Sequence, residues 1–146
     1  MTLYIPAQIL ARIHLHGEEA YPEEGAGLLL GETSSSQGKV KEIVPLMNMR
    51  DKSARHNRYQ LSPEDYLLGE QLAEQLGLEV LGVFHSHPDH PNQPSEYDRQ
   101  WAWPNFSYLI TSVVQGKAQE TSAWRLNDDR SKFNQEAIEI IEQIIK

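Results

Sequence analysis

Glu79-Val80-Leu81-Gly82-Val83-Phe84 is an apolar run of β-forming residues, and it leads without a break into His85-Ser86-His87-Pro88. Gly77 and Pro88 bound it, and its composition predicts a buried strand. Side chains two apart on a strand point to one face. His85 and His87 are therefore expected to project side by side at the strand's end, with Ser86 facing away. Two imidazoles held in this way can share one metal ion. Asp98, eleven residues beyond His87, is a candidate third ligand. Two neutral nitrogens and a carboxylate suit zinc, and three protein ligands leave the fourth tetrahedral position to water, as in a catalytic site.

Each piece also has a reading without chemistry. A lone His-x-His arises by chance, and a buried histidine is often simply hydrogen-bonded. Ser95-Glu96-Tyr97-Asp98 is a capping-box pattern with Asp in place of Glu or Gln. His85-Ser86-His87-Pro88-Asp89-His90 also spells the His-x-His-x-Asp-His motif of metallo-β-lactamase-like hydrolases. That fold needs histidine ligands well downstream, and His90 is the last of six histidines in the chain. His90 is then a loop residue near the mouth of the site.

A length of 146 residues suits a single domain, 1–146, with one real core. The formal net charge of −8 argues against nucleic acid as a partner, although Arg50, Lys52, Arg55 and Arg58 form a local basic cluster. Without cysteine there is no disulfide and no thiolate metal cage, which fits a cytoplasmic protein. The first residues, Met1-Thr2-Leu3-Tyr4-Ile5-Pro6, have no basic stretch followed by a long apolar one, so no signal peptide is expected. No window approaches the roughly 18 apolar residues of a membrane span.

Taken in order, Pro6 to Ala20 is expected to be a helix, with Ile9, Leu10 and Ile13 at helical spacing and Pro22 stopping it. His14 and His16 on this helix are expected at its solvent face or the edge of the core. Leu28 to Glu32 is expected to be a central strand entered through Glu23-Glu24-Gly25-Ala26-Gly27. Ser34 to Gly38 is a polar hairpin connection, Lys39 to Val44 a strand, Asn48 to Asn57 a loop, and Arg58 to Leu61 a short strand. Ser62-Pro63-Glu64-Asp65 is a strong helix start, combining a serine N-cap, proline at the first turn and acids at the positive dipole end. That helix is expected to run to about Leu76, with Leu68, Leu72 and Leu76 along one face and Gly77 as its stop. Ser95 begins a short helix that ends before Pro104. Ser107 to Val114 and Lys117 to Leu126 read as paired strands around Gln115-Gly116. A short strand near Phe133 is expected to lead into a helix carrying Ile138, Ile141 and Ile145. Trp101, Trp103 and Phe106 fit either a core or a contact surface.

His85-x-His87-Pro88, six residues, then Ser95-x-x-Asp98 resembles the JAMM motif of the MPN-domain metalloproteases, the Mov34/PAD-1 family. Pro22-Glu23-Glu24-Gly25-Ala26-Gly27-Leu28-Leu29-Leu30-Gly31 is similar to that family's first strand, whose Glu-x-x-Gly-Leu pattern selects Glu24 rather than Glu23. Trp103-Pro104-Asn105-Phe106-Ser107-Tyr108-Leu109-Ile110 resembles the strand after the family's metal helix. The likeness spans roughly residues 1 to 130. Many bacterial relatives carry Cys where Ala26 stands, a position with no chemical role.

The resemblance implies an α/β (α+β) MPN/JAMM fold of the cytidine-deaminase-like kind, a central mixed β-sheet flanked by helices with the zinc site at a strand end. It implies one Zn2+ per chain on His85, His87 and Asp98, with Glu24 as general base and Ser95 as oxyanion donor. Lowering the pKa of a zinc-held water from about 15.7 to about 7 makes hydroxide usable at neutral pH. A donor such as the Ser95 hydroxyl typically contributes about 3 kcal/mol. The implied activity is a zinc metallopeptidase or isopeptidase cutting after the Gly-Gly tail of a ubiquitin-like or sulfur-carrier protein. The implied protein is a bare core without an appended ubiquitin-binding domain or membrane anchor. An extended tail would pair with an exposed strand edge near the zinc. A non-catalytic MPN scaffold and a zinc hydrolase of a small amide remain alternatives. The identity of the substrate, the oligomeric state and the roles of His56 and His90 are not legible.

Overall fold

The computed structural model describes residues 1–48 and 59–142. The expected Asn48–Asn57 loop beyond its first residue, the basic cluster of Arg50, Lys52, Arg55 and Arg58, and His56 lie outside the described residues. So do residues 143–146, which include the last three positions of the expected C-terminal helix. Seven strands and three helices are described: β1 (Thr2–Pro6), α1 (Ala7–Ala20), β2 (Ala26–Ser34), β3 (Gln37–Leu46), α2 (Pro63–Leu76), β4 (Glu79–Pro88), α3 (Glu96–Trp101), β5 (Ser107–Val114), β6 (Lys117–Leu126) and β7 (Phe133–Ile141).

The strands form one mixed sheet, which closes on itself in the order β1-β3-β2-β4-β5-β6-β7. β2 is antiparallel to both β3 and β4. β4 and β5 run parallel, from Gly82 opposite Ser107 to Pro88 opposite Val113. Parallel neighbours cannot be joined by a tight hairpin. The chain therefore crosses over between them, and that crossover contains α3. The carboxyl end of β4 and the helix that follows it are thereby brought together.

Alternation along the strands sorts side chains to two faces. Leu29 of β2 and Phe84 of β4 join Leu3, Ile5, Ile9 and Ile13 in a cluster under α1. Leu28 and Val83 join Tyr59, Leu61, Ala102 and Tyr108 on the other face. Fully burying each such aliphatic side chain contributes about 1.5–3 kcal/mol. β2 is buried from Ala26 through Gly31 and β4 from Leu81 through Pro88. Unbroken burial of this kind belongs to strands covered on both faces.

Three expectations are corrected. Met1 to Pro6 contains a strand, β1, and Pro6 ends it, so the first helix begins at Ala7. Leu68 and Leu76 of α2 are exposed, and the buried positions are Gly69 and Ala73. A Cβ on Gly69 would overlap Leu28 Cδ1, so a small residue there lets the helix sit close to the sheet. Tyr59 to Leu61 is irregular rather than a strand. Residues Phe133 to Ile141 form β7, not a strand turning into a helix, because Thr2 to Pro6 pairs in parallel with Ala137 to Ile141.

Candidate metal centre

The alternation that places Val83 on the α2 side carries on past it, so His85 and His87 point to that side and Ser86 to the other, as expected. Ser86 lies beneath α1, where a Cβ on Gly17 would come within 3.1 Å of Ser86 Cβ. The ring centroids of His85 and His87 are 5.0 Å apart. β2 begins at Ala26, paired with His85, so Glu24, two residues earlier, falls beside the histidines. The crossover returns Asp98 on the first turn of α3. One ligand atom from each of Glu24, His85, His87 and Asp98 lies within 4.8 Å of the others, and all four residues are buried. Glu23 is outside this group.

Asp98 is held by its own helix. Its backbone N–H donates to Ser95 Oγ at 3.0 Å, and the Ser95 N–H donates to Asp98 Oδ2 at 2.9 Å. The same Oδ2 lies 3.1 Å from His87 Nε2, and Asp98 Oδ1 lies 3.9 Å from His85 Nε2. Burial pushes the Asp98 carboxyl upward. The facing His85 and His87 rings and the Ser95 N–H overcome it and hold the group at about 2. For His87, burial pulls downward, but the Asp98 hydrogen bond, Glu24 and the Pro91 carbonyl outweigh it and raise the group above its ordinary value. His87 Nδ1 is 2.8 Å from Pro91 O. A carbonyl only accepts, so Nδ1–H donates to it; in the metal-free protein Nε2–H donates to the Asp98 carboxylate, and loss of that proton frees Nε2 for a metal. Such an outer bond fixes the tautomer and orientation of a ligating imidazole.

His85 has no such support. Both ring nitrogens and Glu24 Oε1 are buried without a hydrogen-bond partner, although Nδ1 is 3.4 Å from that oxygen. Orphaned buried polar atoms are costly and rare in folded proteins. Two imidazoles and two carboxylates around one point leave the deficit that a divalent cation fills. The residues present therefore fit a metal ion.

Ser95, the other expected site residue, is the N-cap of α3, with its Oγ accepting from Asp98 N–H. Its hydroxyl proton is not used by that bond. His14 and His16 lie apart from the group, near Thr121 Oγ1 at 2.8 Å and Ala26 O at 3.1 Å, respectively. His90 also stands outside it, its carbonyl accepting from Ser112 Oγ.

Sequence reasoning missed Tyr59. Its ring stacks on His85 at 4.3 Å between centroids, with 27° between the planes. Tyr59 and Tyr97 also line a groove of about 540 Å³ with Leu61, Tyr66, Trp101 and Trp103. The two tryptophans are exposed and Phe106 packs against the Leu28–Val83 cluster, so the three aromatics divide between surface and core. No local pattern marks Tyr59, since it reaches the site from a segment distant in sequence.

Comparison with known proteins is consistent with this geometry. The family model described as prokaryotic homologs of the JAB domain matches residues 6–127. A Thermus thermophilus protein named "Probable TtuB-protein conjugate cleaving protease" is 30% identical over 110 residues, covering 75% of this chain and 70% of that one. A Pyrococcus furiosus protein named "Desampylase" is 31% identical over 129 residues, covering 87% and 83%. The solution structure of a Desulfitobacterium hafniense protein superposes with a TM-score of 0.85 at 27% identity, over 97% of this chain and 94% of that one.

Proposed function

The chain belongs to the prokaryotic homologs of the JAB domain, and from that premise we propose a zinc-dependent isopeptidase or peptidase that cuts after the Gly-Gly tail of a ubiquitin-like or sulfur-carrier protein. The observation that carries the reading is the buried quartet at the end of β4, with the ring nitrogens of His85 and one Glu24 oxygen unpartnered. His85, His87 and Asp98 would hold the ion, and Glu24 stands beside it as the proton carrier. Class and family are those of a JAMM-type hydrolase. The names of the relatives, a conjugate-cleaving protease and a desampylase, support a protein conjugate as substrate.

Zinc bound there supplies a Lewis acid that acidifies water and polarises the scissile carbonyl. The chain's own groups do the rest. The Glu24 carboxylate accepts the proton of the attacking water and delivers it to the leaving amine. Asp98, fixed by the capping box, stays ionised and keeps its oxygens toward the histidines. Ser95 donates a hydrogen bond from its hydroxyl to the developing oxyanion while its lone pairs still serve the Asp98 N–H. Tyr59 covers one face of His85 and limits its access to water. The aromatic groove that begins at Tyr59 gives a partner's tail an apolar wall beside the site. The described strands form a closed ring, so we assign tail binding to this groove rather than to an open strand edge.

We place the whole chain in one domain, in the cytoplasm, with neither nucleic acid nor membrane as partner. No helix among the described residues is long and apolar enough to cross a membrane. The test is to incubate zinc-loaded protein with a Gly-Gly-tailed β-grasp protein carrying a C-terminal peptide extension, and to follow the masses. Release of the extension, abolished by a chelator, is expected. Hydrolysis of small amino-acid amides without cleavage of that protein would favour the small-molecule reading. No hydrolysis of either would favour a scaffold.

A further inference from the structure

The peptide bond joining Glu24 to Gly25 is gripped at both ends by side chains. Asn48 Nδ2 donates to Glu24 O at 3.0 Å, and Gly25 N–H donates to Ser86 Oγ at 2.8 Å. Those two groups belong to one planar amide. The Ser86 backbone N–H also donates to Gly25 O at 3.0 Å. Asn48 and Ser86 are both buried, and both come from elements remote in sequence. Asn48 follows β3, and Ser86 lies between His85 and His87. The other end of the Asn48 amide is engaged too, since its Oδ1 accepts from Gln60 N–H at 3.0 Å. Gln60 adjoins Tyr59, whose ring stacks on His85.

The location gives these bonds their meaning. The β2 ladder begins at Ala26, so Glu24 stands just outside the strand. Gly25 lies tight under α1, where a Cβ would come within 3.1 Å of Ala20 Cβ and 3.2 Å of His16 Cδ2. We propose that Ser86 and Asn48 are positioning residues that clamp the plane of the Glu24–Gly25 peptide and so aim the Glu24 carboxylate at the metal centre. The proposal rests on the reading of Glu24 as the proton carrier. Fixing both the oxygen and the N–H of the amide fixes the backbone torsions on either side of it, and with them the direction in which Glu24 leaves the chain. Ser86 thus ties the carboxylate to the strand that carries both histidines. Asn48 ties the same amide to the segment that covers His85. A displacement of about 1 Å at a reacting group costs on the order of a hundredfold in rate.

Two variants test it. Ser86→Ala removes the acceptor for Gly25 N–H. Asn48→Asp keeps an acceptor for Gln60 N–H and removes the donor to Glu24 O, so it serves if the first variant folds poorly. Three readouts are taken: amide exchange at Gly25 by NMR, zinc per chain, and kcat and KM on the extended Gly-Gly β-grasp protein. In Ser86→Ala, Gly25 exchange is expected to rise about tenfold or more. In both variants zinc is expected to stay at the wild-type level, with kcat falling roughly ten- to a hundredfold at little-changed KM. Unchanged Gly25 exchange in Ser86→Ala, or unchanged kcat in both variants, overturns the proposal. Loss of zinc together with activity also overturns it, because the two residues would then support the ligands rather than the base. If Glu24→Gln keeps wild-type turnover, the proton-carrier reading fails and the functional half of the clamp fails with it. If wild type leaves the protein uncut, the substrate reading fails, and Gly25 exchange still decides whether the amide is clamped.

Discussion

Two helices in this chain open with the same device and use it differently. At α2, Asp65 N–H donates to Ser62 Oγ at 3.1 Å and Ser62 N–H to Asp65 Oδ2 at 2.9 Å. At α3, the corresponding Ser95 and Asp98 bonds are 3.0 and 2.9 Å. The serine, the acid and the spacing are shared. α2 is 14 residues long, has Pro63 in its first turn and ends on Gly77 in the left-handed region at φ 70°. α3 has six residues and ends without glycine. A helix that short has little stability of its own. It is held partly from outside, as the Arg130 guanidinium donates to the carbonyls of Ala102 and Gln100 at 2.7 and 3.1 Å. Asp65 starts a helix on the outer face of the sheet. Asp98 starts one over the end of β4, so a carboxylate fixed for capping also faces two imidazoles. A capping box sets the geometry of a carboxylate, and the topology around it decides whether that carboxylate has chemistry to do.

The pair can be broken most sharply at its acids. Asp98→Ala is expected to abolish turnover, whereas Asp65→Ala keeps turnover near wild type and loses about 1 kcal/mol in thermal or denaturant unfolding. Equal activity in the two variants would sink the distinction. Glu24→Gln is next in size. Turnover should fall by about a hundredfold to ten-thousandfold, with zinc retained in the same preparation, and loss of zinc would instead make Glu24 a ligand. The serines give a finer contrast. Ser62→Ala and Ser95→Ala should each cost about 1 kcal/mol as lost caps, but only Ser95→Ala should also lower kcat, by roughly a hundredfold or more. Kinetics and melting of the two variants side by side would show whether the hydroxyl of Ser95 acts beyond its cap.

The smallest effect is in acid. The metal-free Asp98 carboxyl is held at about 2, below its ordinary value of 3.8. Its stabilisation is therefore present above the ordinary value and is lost as pH falls through the folded one. Between about pH 4 and pH 2, metal-free Asp98→Asn should lose stability less steeply than metal-free wild type. Parallel acid-unfolding curves would contradict that.

The convergence of His85, His87 and Asp98 was readable because strand alternation and a helix start are local rules. Residues 85, 87 and 98 needed only a strand period, a crossover and a cap. What escaped depended on partners remote in sequence. Ile138, Ile141 and Ile145 fit a helix as well as Ile138 and Ile140 fit a strand. Pairing with β1 decides for the strand in the described residues, and nothing in the segment announces that partner. β1 itself, with Leu3 and Ile5 fully buried, is too short to stand out by periodicity. On α2 the leucines marked one face, and close approach to Leu28 buries Gly69 and Ala73. Tyr59 over His85 and Asn48 on the Glu24 carbonyl are long-range arrivals of the same kind. Ser86 was placed correctly as facing away from the histidines, and what it meets there could not be read from the strand.

Metal content shows whether the quartet at the end of β4 is a metal site. Wild type, Asp98→Ala and Asp65→Ala would be purified together, offered zinc, freed of excess and measured by plasma mass spectrometry. About one zinc per chain is expected in wild type and Asp65→Ala, and close to none in Asp98→Ala. Zinc retained at the wild-type level in Asp98→Ala would remove Asp98 from the ligand set, and none in wild type after reconstitution would mean that the quartet holds no zinc.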